Sequence, residues 1–241
     1  MKSFKYVFLF FLSTTLSSRS YIDYESPYHP VIGNSGMVVS QNNLSSDIGL
    51  EILNKGGNAI DAAVAVGFSL AVTLPRAGNL GGGGFMLVYL KESDEIFYID
   101  YRSKSPLNSN LENIFDIINN TGKPYVTVPK DFDYDLFDVL DEGYKASALP
   151  GTVAGLLDAH SRFGKLTLKE VLTPVIKQAS EGIVVSYDLY KAIESSPRLL
   201  KDPESKRIYF KNNKPIKENS ILKLPDLAQT ISLIAENGKD G

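Results

Sequence analysis

Gly56-Gly57-Asn58-Ala59-Ile60-Asp61-Ala62-Ala63-Val64-Ala65 and, a short way on, Asn79-Leu80-Gly81-Gly82-Gly83-Gly84-Phe85 are the stretches whose reading decides the fold. Upstream of the first, Leu44, Ile48 and Ile52 recur at helical spacing, and Glu51 and Lys55 form a favourable i,i+4 pair. Gly56-Gly57 ends that helix. Asn58 then suits the N-cap of a second, with Asp61 at its third position near the positive end of the helix dipole. From Ala59 to Leu74 the only charge is Asp61, so this helix is apolar nearly all round and belongs inside a protein. Capping accounts for Asp61 without a catalytic role.

After the glycines come two apolar runs of strand length, Phe85–Leu90 and Ile96–Tyr101, joined by a four-residue hairpin loop at Lys91–Asp94. Neither run alternates cleanly, which predicts a sheet covered on both faces. The glycine run is not a phosphate cradle, since that motif needs a following helix and a Lys-Ser/Thr pair. Glycines here instead allow close backbone packing or positive φ angles. At the end of the second strand stands Asp100-Tyr101-Arg102-Ser103-Lys104-Ser105-Pro106. An arginine leaving the core there could offer its planar fork to a carboxylate, or could simply pair with a local acid such as Asp100.

Composition sets the outer bounds. The chain has 241 residues, 43% apolar and 22% charged, enough to bury a sizeable core. A net charge of -3 without a long basic run argues against a nucleic-acid partner. The absence of cysteine removes disulfides, thiolate nucleophiles and Cys-based zinc sites. Two histidines, His29 and His160, are too few for a His-rich metal centre, and His160 reads as a residue on a helix surface. No cofactor is expected.

Residues 1–20 read as a signal peptide: Lys2 and Lys5, the apolar run Tyr6–Leu12, then small residues at Ser17–Ser20. The apolar run is shorter than the ~20 residues a membrane span needs. A secreted or periplasmic product without stable membrane association after cleavage is the expectation, with residues 21–241 forming one partial domain. Two glycosylation sequons, at Asn43 and Asn119, matter only where the host glycosylates exported proteins.

Residues 107–143 are polar, then acidic. Asp131, Asp133, Asp135 and Glu142 fall at positions 1, 3, 5 and 12 of a calcium loop, but Leu136 occupies the turn position that demands glycine. A solvated acidic loop is the reading. Beyond it, a helix should run from Pro150-Gly151 to about Phe163, stopped by Gly164. Thr167 and Glu170 have capping-box spacing, and Pro174 should break or restart the element they open. Arg207–Phe210 and Pro215–Lys217 should pair across an Asn212-Asn213 turn, and Pro225–Glu236 should form a last helix. No Gly-x-Ser-x-Gly elbow, Ser-x-x-Lys or His-Glu-x-x-His is present.

The Gly-Gly-Asn-Ala helix, the Asn79–Phe85 block, Asp100-Tyr101-Arg102 before Pro106, Leu149-Pro150-Gly151-Thr152-Val153-Ala154-Gly155 and the stretch from Pro174 to Gly182 together resemble the γ-glutamyltranspeptidase (glutathione hydrolase) family, in the family's order. The likeness runs from about Met37 onward. It implies an α+β fold, the αββα sandwich of N-terminal-nucleophile hydrolases, here incomplete because only the N-terminal part of the large subunit is present. Family members are exported precursors that cleave themselves into two subunits. The new N-terminal threonine of the small subunit attacks the γ-glutamyl amide, with its own amino group as base, and two glycine amides hold the oxyanion. None of these catalytic groups lies in this chain. The resemblance assigns Arg102 to binding the α-carboxylate of the γ-glutamyl group, although the residue after it, commonly glutamate in the family, is Ser103. The implied partners are glutathione and other γ-glutamyl compounds, and the small subunit or missing C-terminal portion. Two other readings stand beside this one, a truncated non-catalytic remnant or γ-glutamyl-binding protein, and a related β-lactam acylase.

Overall fold

The computed structural model describes residues 30–107 and 147–241. The signal segment, His29, the acidic 131–142 loop and the Asn119 sequon lie outside the described residues. Two compact units are delimited, residues 1–37 and residues 38–241. In the first, the described residues 30–37 are exposed and form no helix or strand. All elements below belong to the second.

Helix α1 spans Asn43–Asn54, its N-cap Asn42 accepting the Leu44 N–H at 3.0 Å. It ends where Gly56 takes the left-handed φ of 89° that a side chain would resist. Helix α2, Ala59–Thr73, opens with a full capping box between Asn58 and Asp61. Phe68, Val64 and Val72 of α2 are fully buried, as are Ile52 of α1 and, further along the chain, Val171, Leu172, Val175 and Ile231. Burying each such side chain contributes about 1.5–3 kcal/mol. Within this core Ser45 and Ser69 share a 2.8 Å hydrogen bond, and the Ser69 hydroxyl donates to Gln178 Oε1 at 2.7 Å. The buried hydroxyls are therefore satisfied. Ser45 is also the third residue of the Asn43-Leu44-Ser45 sequon, so that sequon is folded into α1.

The two strands form as expected, shifted by a residue in the second. They are β1, Phe85–Leu90, and β2, Glu95–Asp100, antiparallel with Leu87 opposite Tyr98. Among the described residues one face is covered. Val88 and Ile99 are buried, whereas Leu87 is 71% and Tyr98 61% exposed, with Phe85, Tyr89 and Ile96 on the same outer face. The sequence carries apolar residues on both faces, and the described residues pack against one of them.

Helix α3, Thr152–Phe163, stops at Gly164, and α4, Leu168–Glu181, begins with the Thr167–Glu170 capping box. Pro174 does not break α4; the helix runs through it. A proline there forgoes one backbone bond and costs about 3 kcal/mol. Its neighbours Val171, Leu172, Val175 and Ala179 are all fully buried, and their packing outweighs that cost. Short elements follow: β3, Ile183–Val184; α5, Tyr187–Glu194; a 3-10 turn at Pro197–Leu200; α6, Pro203–Tyr209; β4, Phe210–Lys211; β5, Lys214–Pro215; and β6, Ile221–Leu222. β4 and β5 turn through Asn212 and Asn213 with φ of 54° and 59°, but residues 207–209 belong to α6 rather than to the hairpin. The cause is local: Asp202 caps α6 by accepting the Ser205 N–H at 2.7 Å, and Pro203 presets its first turn. β6 pairs antiparallel with β3. The last helix, α7, spans Pro225–Asn237 and packs on α4, while α2 lies against α1, α3 and α4. Among the described residues no helix is long and apolar enough to cross a membrane.

The α4 cap carries a pH prediction. The Thr167 hydroxyl and N–H donate to Glu170 Oε2 at 2.6 and 2.8 Å, holding its carboxyl below its ordinary range. A lowered pKa stabilises the fold above the unfolded value and loses that contribution as pH falls through the folded one. Wild type should therefore be more stable than Glu170→Gln at pH 7. The gap should narrow once pH falls below the ordinary glutamate range and close as it passes below the lowered folded value. Equal stabilities above and below that range in urea melts would refute it.

Candidate functional site

Arg102 lies just past the end of β2, and the chain around it is held from several sides. The Tyr101 carbonyl accepts the Gly84 N–H at 3.2 Å, and the Tyr101 N–H donates back to Gly84 at 3.1 Å. Beyond Arg102, Lys104 and Leu149 exchange two backbone hydrogen bonds of 3.1 and 2.7 Å. Asp100 Oδ1 accepts the Arg102 N–H at 2.9 Å. That disposes of the local ion pair, because Asp100 is spent on the backbone and no described carboxylate pairs with the guanidinium. The side chain is exposed.

The glycine run packs beside this segment. None of Gly81–Gly84 has positive φ, so close approach is what glycine supplies here. A Cβ on Gly83 would sit 2.6 Å from the Tyr101 carbonyl oxygen, and one on Gly84 2.8 Å from Tyr101 Cε2. The start of α3 closes the other side. Helix α3 has no side-chain cap; its first amides, of Gly151 and Thr152, donate to the Gly82 carbonyl at 2.8 and 3.1 Å. A Cβ on Gly151 would lie 2.8 Å from the Tyr101 carbonyl carbon, and one on Gly155 would land on the Tyr101 ring at Cγ. The half-buried Tyr101 phenol is pushed above its ordinary pKa by burial. The residues alone leave Arg102 open between a carboxylate site and a local pair, and the family resemblance selects it; the part played by Tyr101 carries no local signal, and that of the two α3 glycines only the Pro-Gly-x-x-x-Gly spacing at Pro150–Gly155.

The remaining candidates lie elsewhere. Asp61 is fully buried and accepts from the Asn58, Lys165 and Leu166 amides at 2.9, 3.0 and 3.2 Å. It is a structural anchor of wider reach than a cap. His160 is not a surface residue. Its side chain is 13% exposed, with Nε2 3.6 Å from Asp61 Oδ1 and 3.0 Å from the Leu166 carbonyl. The turn after α3 folds back over that face, a contact that helical spacing alone cannot reveal. No group of three or more acidic or His side chains among the described residues could hold a metal ion.

A family model described as Gamma-glutamyltranspeptidase matches residues 45–241. The chain belongs to the γ-glutamyltranspeptidase family. It is 39% identical over 218 residues to the "Glutathione hydrolase proenzyme" of Escherichia coli (strain K12), covering 90% of this chain and 35% of that protein. An "Acylase ACY 1 proenzyme" of Pseudomonas sp. (strain SE83) is 35% identical over 219 residues, 90% of this chain and 38% of that protein. The crystal structure of Helicobacter pylori gamma-glutamyltranspeptidase superposes with a TM-score of 0.76 at 33% identity, covering 87% of this chain and 56% of that one. The chain thus spans about a third of the length of the curated relatives it matches, 35% in the first case. The fold of this family member is the α+β fold of N-terminal-nucleophile hydrolases, present in part.

Proposed function

We propose that the chain is the N-terminal part of the large subunit of an exported γ-glutamyltransferase or glutathione hydrolase. The enzyme would cleave the γ-glutamyl amide of glutathione and pass the γ-glutamyl group to water or an amino acid. The threonine hydroxyl of the remaining portion attacks the amide carbon, and the amine leaves with the proton taken by the threonine amino group. Water or an amino acid then breaks the resulting ester and restores the hydroxyl. This chain's contribution is Arg102, whose guanidinium receives the α-carboxylate of the γ-glutamyl group. The observation that carries the reading is the mounting of Arg102 from several sides with its fork exposed and paired with no carboxylate among the described residues, while Asp100 is turned to the backbone.

The outer face of β1 and β2 supports the partner reading. Phe85, Leu87, Tyr89, Ile96 and Tyr98 form an exposed apolar surface of the kind a further layer covers. The portion of the relatives that this chain does not span is the natural occupant. Export rests on the basic and apolar character of residues 1–20. The identity to an acylase favours a second reading, a β-lactam acylase built on the same fold.

Kinetics of the mature two-subunit enzyme test the first reading. Arg102→Lys replaces a bidentate fork with a point charge and should raise KM for a chromogenic γ-glutamyl anilide about tenfold. An unchanged KM would refute the role of Arg102. Turnover of a β-lactam side-chain amide with no γ-glutamyl activity would transfer the protein to the acylase reading. Intact mass of the native product addresses the partner claim. Two fragments, the second beginning with threonine, are expected; a single mature product with no threonine-initiated fragment would overturn it.

A further inference from the structure

We infer that Tyr101 is a positioning residue for Arg102, acting through a seat formed by four glycines; the inference rests on the reading of Arg102 as the carboxylate-binding residue. The seat is built from two distant segments. Gly83 and Gly84 come from the loop before β1, and Gly151 and Gly155 from the start of α3. All four lie so close to Tyr101 or to the Tyr101–Ser103 backbone that an added Cβ would overlap it. The two segments are locked together by the Gly82 carbonyl, which takes both opening amides of α3.

Seating of the ring has a directional consequence. Neighbouring side chains of an extended chain point to opposite sides. With the Tyr101 ring wedged under α3 against Gly155, Arg102 is directed away from the helix, where its fork is exposed. The Asp100 carboxylate fixes the Arg102 amide, and the Lys104–Leu149 bridge fixes the chain just beyond. The Gly84 backbone bonds hold Tyr101 to the neighbouring strand, and the seated ring adds a restraint on the side of α3 that those bonds do not supply. A small rotation there is magnified at the guanidinium, which sits at the end of a long side chain. Bidentate recognition tolerates little misplacement. The Tyr101 hydroxyl contributes little to this, as its contact with the Phe85 carbonyl is long at 3.4 Å.

A ring-volume series in the mature enzyme tests the assignment, with a γ-glutamyl anilide as probe and Arg102→Lys assayed in parallel. Tyr101→Phe keeps the ring and should retain wild-type KM. Tyr101→Leu should raise KM about tenfold and Tyr101→Ala further, with kcat changed by less than about twofold. Should the alanine variant fail to mature, the leucine variant carries the comparison. A purely structural role would lower the yield or melting temperature of these variants and leave KM untouched. That outcome, with KM raised in Arg102→Lys, overturns the positioning role alone. Wild-type KM in Arg102→Lys overturns the underlying reading of Arg102 instead. A raised KM in Tyr101→Phe would move the effect from the ring to its hydroxyl and also overturn the seat.

Discussion

Asp61→Ala should destabilise the protein by about 3–5 kcal/mol, the range for removing one partner of a buried charged network. The side chain is fully buried, and its two oxygens accept three backbone amides from two places. The Asn58 amide lies at the N-terminus of α2, and the Lys165 and Leu166 amides lie in the turn between α3 and α4. Alanine would leave these buried amides without their acceptor, at about 1–3 kcal/mol for each one left unsatisfied. Asn58 would remain, since its own carbonyl oxygen caps Ile60 and Asp61 and its Nδ2 donates to Phe163 at 2.6 Å. Asp61→Asn should be nearly as harmful, because an amide nitrogen would face an amide donor on one side. Urea denaturation reads the difference directly. A loss below about 1 kcal/mol for both variants would mean that the turn finds other acceptors, and that Asp61 is no more than a cap.

Gly155→Ala gives the second large effect, and its sign depends on context. Inside a helix, alanine is ordinarily favoured over glycine by about 1 kcal/mol. At this position the new methyl would overlap the Tyr101 ring, and overpacking typically costs about 1–3 kcal/mol. The ring cannot retreat toward the strand, because Gly84 already lies against its other edge. Net destabilisation of about 2 kcal/mol is therefore expected. In a Tyr101→Ala background the overlap disappears, so the same substitution should become neutral or stabilising. A double-mutant cycle by thermal melts would show this as a coupling of about 2 kcal/mol or more. Additive effects would mean that the ring and Gly155 are not in contact, and the seat would have to be abandoned.

Local chemistry made much of the architecture legible from the chain alone. The Asn58 and Thr167 caps, the stop at Gly56, the β1–β2 hairpin and the limits of α3 all follow from residues within a turn or two of each other. Two elements depart from that local reading for different reasons. Pro174 stays inside α4 because its neighbours are fully buried, whereas residues 207–209 are helical because the nearby Asp202 cap and Pro203 start a helix there. His160 is largely buried because the turn after α3 covers it, which no periodicity encodes.

The candidate site divides along the same line. The sequence by itself determined that an arginine stands at the end of a strand behind a glycine run, and motif order was enough to tie it to a family. Much of that arginine's environment was decided only by tertiary structure: the Gly82 carbonyl joined to α3, and Tyr101 pressed among glycines some seventy positions apart in the chain. Caps and hairpins depend on hydrogen bonds that close within a few residues, so their partners are adjacent in the sequence. The seat depends on excluded volume between segments that meet only once the core around Phe68 has formed, and excluded volume leaves no trace in a sequence beyond the glycine that makes room.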